Sequence, residues 1–137
     1  MRLTLFTDYG LRLLMRLAAN PDRGFSTAEL AQEFGVSRHH LTKIVQRLAQ
    51  GGYVTTRRGG GGGATLARPA AEIRLGALVR LLEEGQALVE CLAPGGGDCT
   101  LDGQCRLKSR LRRAELAFLA DLDRSTLADI ALTPASA

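Results

Sequence analysis

The chain has 137 residues, 45% of them hydrophobic but only 4% aromatic, with no Trp and a net charge of +4. That length suits one domain with an aliphatic core; no apolar run reaches the ~20 residues that span a bilayer, and no signal-peptide pattern opens the chain. The expectation is a protein that stays in the reducing compartment where it is made, the cytoplasm, with no membrane partner. Charge is unevenly spread: residues 1–68 hold ten Lys/Arg against four Asp/Glu, and residues 69–137 hold eight against ten. A basic amino-terminal half points to a polyanion, most commonly nucleic acid.

Leu3, Phe6, Leu13, Leu14 and Leu17 recur at helical spacing with Gly10 on the same face. This first helix ends near Asn20-Pro21, because proline disfavours helix in the residue before it. Ser26-Thr27-Ala28-Glu29 has the form of a capping box, which predicts a short helix from Ala28 to Phe34, broken by Gly35. Ser37 then caps a second helix reaching Gln50, whose Leu41, Ile44, Val45 and Leu48 fall at i, i+3, i+4 and i+7. Two short helices about a glycine-containing turn form a helix-turn-helix, although an ordinary helical hairpin shares the pattern.

Tyr53-Val54-Thr55-Thr56 is strand-like, and Ala64-Thr65-Leu66 can pair with it. Between them stand Arg57, Arg58 and five glycines, residues 59–63. The run lacks the Gly-Lys-Ser/Thr ending of a P-loop and no helix pattern opens behind it, which excludes nucleotide binding. A basic, glycine-rich hairpin tip directly after a helix-turn-helix is instead what a winged helix needs. Backbone without side chains, as at Gly60, approaches the DNA backbone closely, while Arg57 and Arg58 reach phosphates or the minor groove.

After Pro69, the residues Ile73, Leu75, Leu78, Val79 and Leu82 predict a helix ending near Gly85. From Cys105 onward, Leu107, Leu111, Ala114, Phe118 and Leu122 predict a long helix with an apolar stripe. Its RLKSRLRR charges read as a solvated face. Such a helix has little of its own to bury against, so a homodimer is expected. Asp123 to Ile130 reads as a short closing helix. The fold class is mainly α with a small β-hairpin wing. Residues 1–70 are expected to form a winged helix-turn-helix DNA-binding region, and residues 71–137 a second part made of a loop and a dimerisation helix, in one compact unit.

All three cysteines lie within ECLAPGGGDCTLDGQCRL, as Cys91, Cys99 and Cys105. An odd number cannot pair completely as intramolecular disulfides, and a reducing compartment favours metal or redox chemistry. Thiolates are soft ligands for zinc, copper(I) or iron–sulfur clusters. There is no CxxC pair, and the only histidines, His39 and His40, belong to the second helix of the helix-turn-helix. Gly95-Gly96-Gly97 makes a loop able to wrap something bulky, which suits a cluster better than a single ion; zinc and plain redox thiols are the alternatives. No nucleophile–base pair or paired carboxylate set is visible, so an enzyme is not expected.

The stretches MRLTLFTDYGLRLL, GVSRHHLTKIVQRLAQGGYVTTRRGGGGGATLARP and CRLKSRLRRAELAFLADLDRSTLADI resemble the NsrR group of nitric-oxide-sensing repressors. That group belongs to the winged-helix family that also contains the iron–sulfur regulator IscR. The resemblance covers nearly the whole chain. It implies a homodimeric repressor of operator double-stranded DNA with one cluster per subunit, 4Fe–4S rather than 2Fe–2S. Cys91, Cys99 and Cys105 match the three cluster ligands. IscR-like members complete a 2Fe–2S site with a histidine three residues after the last cysteine, where this chain has Lys108. Asp8 matches an aspartate that supplies the fourth ligand from the other subunit; Asp98 and Asp102 are its local competitors.

Such a dimer sets two recognition helices in successive major grooves, roughly 34 Å apart, on a palindromic operator. Ser37, Arg38, His39, His40 and Lys43 are the expected contacts at the exposed start of that helix. Nitrosylation of the cluster would then release the DNA. The alternatives are a winged-helix regulator whose cluster reports iron or redox state, and a small iron–sulfur electron carrier.

Overall fold

The computed structural model describes residues 1–60 and 62–134. Helix α1 (Leu5–Ala19) opens at Thr4, whose hydroxyl accepts the Thr7 backbone N–H. Its inner face buries Leu13, Leu14 and Leu17. Gly10 lies on that face, where a Cβ would stand 2.9 Å from the Leu82 side chain. The missing side chain is what lets α1 cross so near that leucine.

Both halves of the capping box form at α2 (Thr27–Phe34). The Ser26 hydroxyl accepts the Glu29 N–H at 3.0 Å, and the Glu29 carboxylate accepts the Ser26 N–H at 2.8 Å. That backbone N–H, aided by the Arg23 guanidinium, holds the Glu29 carboxyl below its ordinary range. Gly35 turns the chain in the left-handed conformation, and Ser37 caps α3 (Arg38–Gln50) by accepting the His40 N–H at 3.1 Å. Leu41, Ile44, Val45 and Leu48 are buried, as their spacing requires.

Strands β1 (Val54–Arg57) and β2 (Gly63–Leu66) pair antiparallel, with Val54 opposite Leu66 and Arg57 opposite Gly63. Phe25, just before α2, adds a rung: its N–H donates to the Ala64 carbonyl at 3.0 Å and its carbonyl accepts the Ala64 N–H at 2.7 Å. Gly63 has φ +116°, and a Cβ there would lie 2.5 Å from the Phe25 carbonyl oxygen. The hairpin is therefore tied to the helix-turn-helix rather than hanging from it.

Two elements differ from expectation, for one shared reason. Ala70–Glu72 forms a 3-10 turn, and α4 begins only at Leu75 (Leu75–Leu82). Ile73 and Arg74 stay extended because the segment near Thr126 claims their backbone. The Ile73 carbonyl accepts the Leu127 N–H at 2.8 Å, and the Leu75 N–H donates to the Ser125 carbonyl at 3.1 Å. The closing helix is correspondingly reduced to a 3-10 turn at Leu127–Ile130. Asp123 does not start that turn; it is the C-cap of α5 (Arg106–Leu122). Its carboxylate accepts the Ala77 N–H and an Arg80 N–H, each at 3.0 Å, and so caps α4 from outside.

One buried cluster joins α1, α2, α3 and the hairpin to Ile73, Leu75, Leu78, Leu82 and Leu127. Helix α5 rests on α4 yet has no buried residue of its own; Leu107 is 61% and Leu116 54% exposed. Among the described residues no helix is long and apolar enough to cross a membrane. The α4–α5 joint is tightest at Gly76, where a Cβ would overlap the Asp123 carboxylate and the Leu119 carbonyl oxygen. Gly76→Ala is expected to lower stability by about 1–3 kcal/mol, read as an earlier urea midpoint.

Candidate nucleic-acid interface and cysteine loop

Helix α3 points Arg38, His39, Lys43, Gln46, Ala49 and Gln50 outward. His40 is placed differently from its expected neighbours. It is half-buried against α1, with its ring centroid 5.8 Å from Tyr9 in an edge-on pair and 6.2 Å from Phe6. Sequence spacing could have shown this, since His40 lies about 100° round the helix from His39, toward the apolar side. Ser37 is exposed, its hydroxyl engaged by the cap. Arg47 pairs with Glu84 just beyond α4, which ties α3 to the start of the cysteine loop.

At the wing, Arg57, Arg58, Gly59 and Gly60 are exposed; Gly61 lies outside the described residues. The Gly62 N–H closes the turn on the Gly59 carbonyl at 2.9 Å. Arg68 lies over the Tyr53 ring at 4.4 Å, bracing the hairpin base. Among the described residues Arg38, Lys43, Arg57 and Arg58 form no ion pair, so α3 and the wing share a positive potential.

The cysteine loop leaves α4 at a carboxylate with three partners. Glu83 accepts the Thr4 backbone N–H at 3.0 Å, the Thr4 hydroxyl at 2.6 Å and the Thr7 hydroxyl at 2.7 Å, and Thr7 is fully buried. Cys91 sits in a 3-10 turn, Glu90–Leu92, and Cys105 occupies the N-cap position of α5. All three cysteines are free and half-buried. Three reduced thiols on one loop have the donor chemistry an iron–sulfur cluster takes. Among the described residues no three His, Cys, Asp or Glu side chains are gathered closely enough to hold a metal ion, so ligation would have to draw the loop together.

The candidate fourth ligands are in different states. Asp98 is exposed. Asp102 is paired with Lys108 at 3.1 Å across the Cys105 position, and that ammonium holds its carboxyl below the ordinary range. Asp8, in the first turn of α1, is held by both arms of Arg12, at 2.9 and 3.0 Å. Arg12 in turn lies over the Tyr9 ring at 5.0 Å, and Tyr9 is the residue that meets His40. Arg12, Glu83 and Glu84 were not legible as site residues, because their roles are contacts across long stretches of chain or between side chains of no distinctive motif.

Comparison with known proteins decides the class. A family described as "Rrf2: Iron-dependent Transcriptional regulator" matches residues 3–133. The chain belongs to the Rrf2 family. It is 45% identical over 131 residues to the HTH-type transcriptional regulator NsrR of Geobacillus kaustophilus (strain HTA426), across 95% of this chain and 89% of that protein. Among solved structures it is similar to CymR of B. subtilis, described as its global cysteine regulator, with a TM-score of 0.74 and 27% identity over 96% of each chain. It is also similar to the oxidized form of Staphylococcus aureus CymR, with a TM-score of 0.72 and 30% identity over 99% of this chain and 100% of that one. IscR of T. potens gives a TM-score of 0.74 and 26% identity over 95% of this chain and 85% of that one. Rrf2 membership makes this a winged-helix transcriptional regulator with DNA as its partner, and not an enzyme.

Arginines that meet phosphate position a protein on DNA without reading sequence, and Arg57 and Arg58 are the exposed wing cations available for that. Arg57→Ala and Arg58→Ala should each weaken binding by a similar factor on every DNA duplex tested, and each should reduce the slope of log affinity against log salt by about 1. Fluorescence anisotropy across a salt series measures both effects.

Proposed function

We propose that this Rrf2 protein is a homodimeric, cytoplasmic transcriptional repressor of the NsrR type, releasing operator DNA in response to nitric oxide. Each subunit would carry one iron–sulfur cluster, 4Fe–4S, on Cys91, Cys99 and Cys105, with Asp8 of the partner subunit as the fourth ligand. The observation that carries the reading is three free, half-buried thiols on a loop whose root is bonded to both α1 and α3. The 45% identity to an NsrR supports the choice of signal. A second copy is supported by α5, a helix of 17 residues with no buried residue of its own in this subunit.

When bound, the cluster supplies iron that reacts with nitric oxide, most readily at an iron held by a carboxylate or another exchangeable ligand. The chain's own residues do the rest. Asp102 is engaged by Lys108 and Asp8 by Arg12, so it is the resemblance to NsrR, and not the pairing, that favours Asp8 over Asp98 and Asp102. Arg12 provides Asp8 with a partner within its own chain when it is not a ligand. Glu83 holds the start of α1, and Glu84 holds Arg47 of α3, so a displacement of the loop root pulls on both helices. The two recognition helices then lose the spacing a palindrome demands. This is a two-state switch, and the ligated and unligated loops must favour different states for it to operate.

On the DNA, Arg38, His39 and Lys43 of α3 and Arg57, Arg58 and Gly60 of the wing make the contacts, with Ser37 holding the helix start. His40 acts from behind, as the packing contact between α3 and α1. The family description, iron-dependent, favours a second reading in which the same loop reports iron supply. An electron carrier would leave the basic wing and the outward face of α3 without a use.

Anaerobic purification is expected to yield iron and acid-labile sulfide in equal amounts, with operator affinity that falls on adding nitric oxide. Protein free of iron and sulfide would sink the cluster. Affinity that answers only to chelator would transfer the reading to iron sensing. Asp8→Ala should alter the cluster absorption spectrum and slow the nitric oxide response while leaving the far-UV dichroism of the apo-protein unchanged. Identical cluster spectra would remove Asp8 from the ligand set.

A further inference from the structure

Successive residues of an α-helix are about 100° apart, so the buried side of α3 fixes what faces away from it. Leu41, Ile44, Val45 and Leu48 point into the core. The opposite side carries His39, Lys43, Gln46 and Gln50, with Thr42 at its edge. His39 and Gln46, seven residues apart, lie almost on one line. Arg38 and His40 are on the flanks, His40 against α1, and Arg47 is turned to Glu84. Gln46 is therefore at the middle of the outward face, between the helix start and its last turn.

The chemistry of this face is divided. Lys43, Arg38, Arg57 and Arg58 are cations suited to phosphate, and phosphate contacts carry no sequence information. Gln46 is uncharged and exposed, and its side chain makes no hydrogen bond among the described residues, so its amide donor and acceptor are both free. Thr42, one turn earlier, has its hydroxyl engaged by the Arg38 carbonyl at 2.9 Å, so its methyl is what remains for a partner. An amide with both functions free matches adenine in the major groove, which offers an N6 donor beside an N7 acceptor. A methyl one turn away matches the thymine C5-methyl.

We propose that Gln46 reads an adenine in each operator half-site, its Oε1 accepting from N6 and its Nε2 donating to N7, with the Thr42 methyl against the methyl of a neighbouring thymine. This rests on α3 being the DNA-recognition helix of the regulator described above, and gives that helix a base preference. Sequence reading centred the contacts on the charged helix start and passed over Gln46 because an amide has no charge to flag it.

The test selects from duplexes randomised over the half-site, using the anaerobically isolated full chain. The wild type should favour adenine at one position by about 5- to 100-fold. Gln46→Ala should lose that preference at that position alone, and Gln46→Arg should move it to guanine, whose O6 and N7 suit a guanidinium. Gln46→Ala should leave the salt slope and the thermal midpoint as in the wild type, since the side chain is exposed and uncharged. An Ala variant that keeps every base preference, or weakens equally on all sequences, overturns the assignment. Failure of the wild type to bind any duplex at low salt brings down the regulator reading itself, and it would show before any variant is made.

Discussion

The Glu83 carboxylate is the contact on which the arrangement of this molecule depends. It accepts three hydrogen bonds from Thr4 and Thr7, fastening the end of α4 to the beginning of α1 across 76 to 79 residues of chain. Gly10 lets the two helices close on one another at Leu82, directly before that carboxylate. A partly buried carboxylate needs its lone pairs met, and here two hydroxyls and a backbone N–H meet them. The N–H belongs to the residue that caps α1, so one group satisfies a helix start and closes a long-range contact. The first turn of α1, with Asp8, and the root of the cysteine loop are thereby held as one piece.

From that piece two connections lead to α3. Arg47 of α3 pairs with Glu84, next to Glu83. On the other side, Asp8 is gripped by Arg12, Arg12 lies over Tyr9, and Tyr9 meets the edge of His40. Neither connection is strong alone: the Asp8–Arg12 pair is about half exposed on both sides, and such pairs contribute little to stability. Their importance is geometric. They are contacts at the two edges of a helix whose core side is firmly buried.

Much of the fold was legible because local signals agreed with one another. The capping box at Ser26 and Glu29, the Ser37 cap and the i, i+3, i+4, i+7 apolar positions of α3 are each self-contained within a few residues, and each forms as read. The hairpin was equally clear from β-branched residues flanking a glycine run. The errors fall where a distant segment competed for backbone. Ile73 carries a helical pattern, yet its carbonyl goes to Leu127, and Asp123 caps α4 instead of opening a helix. At the site, the three thiols were plain from their spacing, whereas the contacts of His40 with Phe6 and Tyr9 depend on where α1 crosses α3.

The amino-acid sequence by itself determined the winged helix-turn-helix, the three free thiols on a single loop, and the concentration of positive charge in the amino-terminal half. These follow from periodicity, capping and composition, all of which act over a turn or two of chain. Tertiary structure alone decided that Glu83 is engaged by Thr4 and Thr7, across most of the chain, while the Asp8–Arg12 pair is a local i, i+4 contact of α1. The outward place of Gln46 on α3, in contrast, already follows from the i, i+3, i+4, i+7 spacing of Leu41, Ile44, Val45 and Leu48, whose burial the structure bears out. A side chain's type is written in the sequence, but its partner depends on which surfaces the core brings into contact.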